Sequence, residues 1–208
     1  MTGAGRDHVH RNDRQLQGAH RISLVQDTRQ HTGVPQPGYG PRQYHLNVQV
    51  DKRGRISAGI LLWRRRHGEL EVLLAHPGGP YWAKKDHGHW TIPKGEIDVD
   101  GDSLEAVARR EFWEETGHEL PDHPLTELGE ITQKSGKVVH GWAIEGDLDA
   151  GAAVSNLFTM EWPPRSGRMQ EFPEIDRVEW FAMPEARKRL KAAQVPFLER
   201  LEAALRAG

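Results

Sequence analysis

Hydrophobic residues after position 55 are concentrated in a few short runs. The first two, ISAGILLWRR (56–65) and ELEVLLAHP (69–77), are almost continuously apolar, and the charged turn RRRHGE lies between them. Apolar runs of this length that are rich in Ile, Leu and Val and bounded by turn residues are typical of buried strands. We therefore predict that the two segments form an antiparallel pair.

Patterns typical of strands return in the second half of the chain and are followed by helical patterns. The predicted strands are LTELGEITQK (125–134), KVVHGWAIEGD (137–147) and DRVEWFAM (176–183). Two segments then begin with proline at a favoured helical position and continue amphipathically, PEARKRLKAAQ (184–194) and PFLERLEAALRA (196–207). Strands on either side of one central helix, with helices at the end, predict an α/β sandwich.

The central helix carries three carboxylates on one face. Glu111, Glu114 and Glu115 stand at positions i, i+3 and i+4 of a helix predicted over residues 103–116. At about 6 Å and an effective dielectric of about 20, each pair would cost on the order of 2 to 3 kcal/mol before screening. A divalent cation such as Mg²⁺ would reverse that repulsion, because it binds carboxylates together with substrate phosphates. The alternative is a solvated acidic face.

Both ends of this helix have recognisable signals. Asp102 followed by Glu105 is spaced as a capping pair, which predicts that Asp102 caps the helix. Gly117 can adopt the left-handed conformation that ends a helix, so we predict the end at Thr116.

The residues around this helix resemble the Nudix box, the signature of hydrolases that act on nucleoside diphosphates linked to another moiety. The matching pattern is Gly95, a spacer, Asp102, seven residues, and then Arg110, Glu111, Phe112, Glu114, Glu115 and Gly117. Two departures are visible: the spacer (96–101) holds six residues instead of five, and Asp102 stands where the motif has glutamate. One extra residue in a surface loop should cost little closure entropy.

The resemblance covers about residues 57–206 and implies an α/β/α sandwich with a mixed β-sheet. It also implies that Glu111 and Glu115 are the principal ligands of Mg²⁺ or Mn²⁺, that Glu114 assists, and that Arg110 orients a glutamate by ion pairing. A backbone carbonyl near Lys94 would complete this part of the metal site.

A later segment, FPEIDRVEWFAMPEA (172–186), resembles the family element in which a loop glutamate precedes a Trp-bearing strand and a short helix. That likeness nominates Glu174 as a further metal ligand or as the catalytic base, with Glu171 in reserve. The alternative is a surface acid without a role.

The segment PGGPYWAKKDHGHWTIPKGE (77–96) combines turn formers, lysines and aromatics, and could wall a substrate pocket. Tyr81 and Trp82 fit base stacking and core packing equally well, whereas Trp90 is assigned to the core. Lys94 directly precedes the metal helix region and is the foremost candidate for binding phosphate.

Further cationic candidates are Arg165 and Arg168 in the segment WPPRSGR, which could bind phosphate or belong to a solvated loop. His87 and His89 invite a zinc interpretation, but two histidines without a third ligand are a weak signal, so we assign them to a loop.

The charge of the chain is unevenly distributed. The net charge is −2 over 208 residues, but residues 1–55 carry an excess of Lys and Arg while the remainder is acidic. An acidic body does not attract a polyphosphate unaided, so cations at the glutamates would have to supply attraction as well as catalysis. Residues 1–55 are poor in large apolar side chains, and we expect a flexible extension preceding a hydrolase domain over residues 56–208.

Composition excludes several other classes. The chain has no cysteine, which removes disulfides, thiolate nucleophiles and zinc–thiolate sites. No apolar run approaches a membrane span and no secretory signal is recognisable, so we expect a cytoplasmic protein with no membrane partner. We also expect no nucleic-acid partner, and the sequence does not indicate an oligomeric state.

These features predict a Mg²⁺-dependent hydrolase that cleaves a pyrophosphate linkage by attack of water at phosphorus. The PKGE form of the motif resembles proteins acting on nucleoside triphosphates or dinucleoside polyphosphates, while nucleotide sugars, ADP-ribose, NADH and diphosphoinositides remain open. The alternative from another class is a catalytically weak nucleotide-binding or regulatory module, which the longer spacer and Asp102 favour.

Overall fold

The computed structural model describes residues 56–97 and 102–207. The predicted flexible extension at residues 1–55 lies outside the described residues. None of the described helices is long and apolar enough to cross a membrane.

The described residues form eight strands and three α-helices. The strands are β1 (Ile56–Arg66), β2 (Glu69–Pro77), β3 (Lys94–Glu96), β4 (Thr126–Thr132), β5 (Val138–Glu145), β6 (Leu157–Glu161), β7 (Met169–Pro173) and β8 (Ile175–Ala182). The helices are α1 (Leu104–Thr116), α2 (Met183–Arg189) and α3 (Val195–Ala207), with short 3-10 turns at Ala150–Ala152 and Ala192–Gln194.

Six of these strands form a mixed sheet in the order β4-β5-β1-β2-β8, with β3 added alongside β1. The β1–β5 pair is parallel and the other pairs are antiparallel. Strand β1 is buried along most of its length because helices cover both faces of the sheet, which accounts for its continuous apolar run.

The hydrophobic core has two parts, one on each face of the sheet. Val107 and Phe112 of α1 pack on one face, while Phe197 and Leu201 of α3 pack on the other with Trp90. This arrangement confirms the predicted α/β/α sandwich with a mixed sheet.

The predicted strands and the antiparallel β1–β2 pair are confirmed, but three strands were not predicted. Strand β3 is only three residues long, Lys-Gly-Glu, and is held by pairing with β1. Strands β6 and β7 form a separate, largely exposed hairpin. Helix α2 is also shorter than predicted, because Leu190 is extended and bridges Trp90.

The start of α1 differs from the prediction. Ser103 is the N-cap, and its Oγ accepts a hydrogen bond from the backbone N–H of Ala106 at 3.1 Å. The assignment of the cap to Asp102 was therefore wrong by one residue. The end is as predicted: Gly117 has φ 71° and its N–H donates to the Trp113 carbonyl at 2.7 Å.

Candidate functional site

Strand β3, helix α1 and several connecting loops surround a cavity of about 420 Å³. Its lining combines carboxylates, lysines and two aromatic rings. The lining residues are Pro77, Gly78, Trp82, Lys94, Gly95, Glu96, Glu111, Glu114, Glu115, Lys137, Asn156, Phe158 and Glu174.

Two glutamates of α1 are buried in the wall of this cavity, Glu111 with 9% and Glu115 with 8% of their surface exposed. Oε2 of Glu115 accepts a hydrogen bond from the backbone N–H of Lys94 at 2.8 Å. Burial raises the pKa of Glu115 to about 7; the charge and N–H of Lys94 oppose this shift, and the negative charges of Glu111 and Glu174 add to it. Burial therefore disfavours the charged form of Glu115 more than the nearby charge of Lys94 favours it.

Arg110 contacts three of the neighbouring acids. Its guanidinium donates to Glu111 Oε1 at 3.0 Å and to Asp102 Oδ2 at 3.3 Å, and its Nε lies 3.6 Å from Glu114 Oε1. The hydrogen bond with Glu111 is the largest cause of the raised pKa of Arg110. Arg110 thus orients Glu111, and Asp102 contacts this arginine.

Gly95 allows β3 and α1 to approach each other. A Cβ atom at this position would lie 1.6 Å from Oε2 and 2.0 Å from Cδ of Glu111. The motif glycine is required here by the close approach of the Glu111 carboxylate to the backbone.

Lysines face these acids from other parts of the cavity. Burial lowers the pKa of Lys94, while the charge of Glu115 opposes the shift. Nζ of Lys137 lies 2.9 Å from Glu96 Oε1. Lys137 was not predicted from the sequence, because it precedes β5 in a tight turn without a motif.

Glu174 lies between β7 and β8 and lines the cavity. Its backbone N–H donates to the Asn156 carbonyl at 2.8 Å, and its own carbonyl accepts from Gly78 N–H at 2.8 Å. These bonds hold the loop beside the α1 carboxylates. Glu171, the reserve candidate, pairs with Thr159 within the hairpin and is not among the lining residues.

The two loop aromatics have different positions. Trp82 lines the cavity, and Nζ of Lys85 lies 4.5 Å from the centre of its ring. Tyr81 is 53% exposed and makes an edge contact with Trp162 at 5.2 Å, away from the cavity lining. Trp90 is fully buried in the core, as predicted.

A buried histidine anchors the loop that carries Trp82. Nε2 of His76 lies 2.7 Å from the Lys85 carbonyl oxygen, and its Nδ1 lies 2.7 Å from Asp176 Oδ1. The imidazole also packs edge-on against Trp90. His76 was not singled out in the sequence, since its role depends on partners distant along the chain.

The other cationic candidates and the two loop histidines lie elsewhere. Arg165 and Arg168 are exposed in the β6–β7 turn, where Arg165 has φ 65°, and neither lines the cavity. His87 is exposed, and its carbonyl oxygen lies 2.8 Å from Nδ1 of His89 in the same loop.

A wider, open depression of about 800 Å³ lies at the end of β1 and β5. Its Arg64 is already paired with Glu71 and Asp147. Because this depression holds no convergent set of reactive groups, we place the site in the smaller cavity.

The smaller cavity has the donor chemistry of a divalent-cation site. Its carboxylate oxygens are the ligands that Mg²⁺ and Mn²⁺ prefer, and a bound cation would offset the burial that raises the pKa of Glu115. Across residues 56–97 and 102–207, no three acidic or histidine side chains are already arranged as a ligand set. Glu111 is instead oriented by Arg110, so binding an ion would require the carboxylates to adjust around it.

Comparisons with known proteins point to one family. The family model described as "NUDIX domain" matches residues 53–201. An RNA pyrophosphohydrolase of Caulobacter vibrioides is 43% identical over 51 residues, which cover 22% of this chain and 29% of that protein. The chain therefore matches less than a third of the length of this curated relative.

Two solved structures share the fold. The Ap4A hydrolase of C. elegans, in a binary complex, has a TM-score of 0.51 and 23% identity, over 73% of this chain and 99% of that chain. The NUDIX domain of Shewanella oneidensis NrtR, complexed with ADP ribose, has a TM-score of 0.52 and 17% identity, over 77% and 94% of the two chains. Since the family model matches most of the chain and the fold agrees, the protein belongs to the NUDIX family.

Proposed function

We propose that this protein is a divalent-metal-dependent pyrophosphohydrolase that cleaves a nucleoside triphosphate or a dinucleoside polyphosphate by attack of water at phosphorus. The observation that carries the proposal is the cavity in which the buried Glu111 and Glu115 face Lys94 and Lys137. Carboxylates that can bind a divalent cation and lysines that can bind phosphate are the two halves of such a site.

Glu111, Glu115, Glu114 and Glu174 are the proposed ligands of Mg²⁺ or Mn²⁺. The bound ion would polarise the phosphate and lower the pKa of the attacking water. Arg110 donates to Glu111 Oε1 at 3.0 Å and would orient that carboxylate as a ligand. Glu174 and Glu111 are both candidates for accepting the proton of the water.

The remaining groups bind the substrate. Lys94 and Lys137 would contact phosphate oxygens with charge-assisted hydrogen bonds. Of the two loop aromatics predicted to stack on a base, Tyr81 and Trp82, Trp82 lines the described cavity and Tyr81 does not. Trp82 offers an apolar surface to the nucleoside. The local likeness to an RNA pyrophosphohydrolase supports a phosphate chain as the substrate.

A nucleotide-binding module without hydrolysis is the second candidate, and the Asp102 position favours it. The aspartate there contacts Arg110 at 3.3 Å instead of extending the metal-ligand set. Hydrolysis remains the stronger proposal, because Glu111, Glu114 and Glu115 line the cavity and Arg110 pairs with Glu111 and Glu114.

A substrate panel tests the proposal. The purified protein is incubated with Mg²⁺ and with nucleoside triphosphates, dinucleoside polyphosphates, nucleotide sugars and ADP-ribose, and the products are separated by chromatography. Glu115→Gln is the matched control, because it keeps the shape of the side chain and removes its charge. Turnover of the first two classes that is lost in the control supports the proposal. Mg²⁺-dependent binding without turnover would favour the binding module.

A further inference from the structure

Lys191 follows α2 and lies beside the cavity, although no motif singles it out. Its backbone N–H donates to the Trp90 carbonyl at 2.9 Å, which fixes the position of the main chain. The ammonium lies 5.7 Å from the ring centre of Trp82, a lining residue. Within the described part of the chain, this half-buried ammonium has no hydrogen-bond or ion-pair partner.

Lys191 belongs to a cluster of three lysines that we call the lysine cluster. Its other members are Lys94 of β3 and Lys137 before β5, and both line the cavity. Burial is the main cause that lowers the pKa of Lys191 to about 8; the positive charges of Lys94 and Lys137 add to this shift, and the negative charge of Glu115 opposes it. The ring of Trp82, 5.7 Å from the Lys191 ammonium, lines the same cavity as Lys94 and Lys137, so the three lysines border one space.

This clustering is unfavourable in the protein alone. A partly buried cation without a partner loses hydration, and like charges beside it increase the cost. Glu96 lies 2.9 Å from the ammonium of Lys137, but Lys191 has no such ion pair among the described residues, and an anion beside Lys191 would reduce both penalties. Phosphate oxygens are suitable, because each ammonium can donate up to three hydrogen bonds to them.

We propose that Lys191, with Lys94 and Lys137, binds a phosphate group of the substrate beyond the two phosphates joined by the cleaved linkage. The proposal rests on the proposed function, because it places that linkage at the carboxylates of Glu111 and Glu115. The site then selects substrates with three or more phosphates in a row. Nucleoside triphosphates and dinucleoside polyphosphates carry such a group, whereas ADP-ribose, NADH and nucleotide sugars do not.

Binding of inorganic polyphosphates tests this without a nucleoside. Tripolyphosphate and pyrophosphate are titrated calorimetrically, with Mg²⁺, into the wild-type chain and three variants: Lys191→Gln, Lys191→Arg and Lys188→Gln. Lys188 is the matched control because it lies on α2, its side chain is 63% exposed and it pairs with Glu185. Release of orthophosphate is measured in parallel.

We expect Lys191→Gln to weaken tripolyphosphate binding about 10-fold, equivalent to about 1.4 kcal/mol, and to change pyrophosphate binding less than about 2-fold. Lys191→Arg keeps the charge and should remain within about 3-fold of wild type, and Lys188→Gln should not differ from it. Equal weakening of both ligands, no weakening, or no binding of tripolyphosphate by the wild type would overturn the proposal. Melting temperatures of the variants check the fold. The melting temperature of Lys191→Gln should not be lower than that of the wild type, because the substitution removes an unpaired charge.

Nucleotide kinetics separate this inference from the proposed function. If the wild type hydrolyses no nucleotide but Lys191→Gln still loses tripolyphosphate binding selectively, the hydrolase proposal fails and the phosphate site stands. If triphosphates are hydrolysed and Lys191→Gln leaves their KM unchanged, the phosphate site fails and the hydrolase proposal stands. A rise in KM of about 10-fold for triphosphates, with kcat and ADP-ribose turnover little changed, supports both.

Discussion

The carboxylate of Glu111 lies directly against the α-carbon of Gly95, so that a Cβ atom there would be 1.6 Å from Oε2. This contact joins β3 to α1 and fixes how the glutamate enters the cavity. The glycine is therefore a steric requirement of the carboxylate cluster.

Gly95→Ala should displace Glu111 and damage both fold and function. Overpacking costs about 1 to 3 kcal/mol, and a contact this short is at the upper end of that range. We expect a lower melting temperature and a loss of metal-dependent activity of at least about 100-fold, because the carboxylate cannot keep its position. Gly151→Ala is the control, since an added Cβ would approach only the Asp149 side chain, at 3.3 Å. Wild-type turnover in Gly95→Ala would contradict this account of the glycine.

The buried carboxylate of Glu115 should make the stability of the metal-free protein depend on pH. Its pKa is raised from 4.5 to about 7 in the folded state, so the folded chain binds more protons than the unfolded chain in that interval. The free energy of unfolding contributed by Glu115 therefore falls as pH rises through about 4.5 to 7. We expect a lower melting temperature in EDTA at about pH 8 than at about pH 5, and a smaller difference with Mg²⁺.

Glu115→Gln removes the titrating group and should flatten that dependence. The comparison requires the same melting experiment, in EDTA, on the variant and the wild type. If the two pH profiles are parallel, another group causes the pH dependence.

Arg110 should act on metal binding through Glu111. It contacts Glu111 at 3.0 Å and Glu114 at 3.6 Å, so Arg110→Ala leaves both carboxylates without their orienting partner. Loss of such a partner typically weakens metal binding or activity about 10- to 100-fold. Calorimetric titration of Mn²⁺ measures the change. Arg109→Ala is the matched control, because Arg109 pairs with the exposed Glu105. This variant should bind Mn²⁺ with unaltered affinity.

Glu174 and Glu171 can be separated by isosteric substitution. Glu174 lines the cavity, so Glu174→Gln should lower kcat by about 100-fold or more if it takes the proton of the attacking water. Glu171 lies in the hairpin opposite Thr159, and Glu171→Gln should retain the wild-type kcat. Single-turnover rates over a range of pH provide the measurement. A larger loss of kcat in Glu171→Gln than in Glu174→Gln would indicate that Glu171 is the catalytic base.

The sequence by itself determined the features that depend on local geometry. The spacing of Glu111, Glu114 and Glu115 places them on one helix face whatever the surroundings, and Gly117 ends that helix because glycine readily adopts a left-handed backbone. The apolar runs of β1 and β2, joined by a two-residue turn, likewise predict an antiparallel pair. Interactions between near neighbours decide all of these features.

Only the tertiary structure decided which distant residues complete the cavity. Lys137 and Asn156 come from separate parts of the chain, and Lys191 lies close by with no motif around it. Strand β3 is too short to be recognised without its partner β1. Long-range pairing and burial, which no local pattern encodes, bring these residues to the carboxylates of α1. They also determine the electrostatic environment of each side chain.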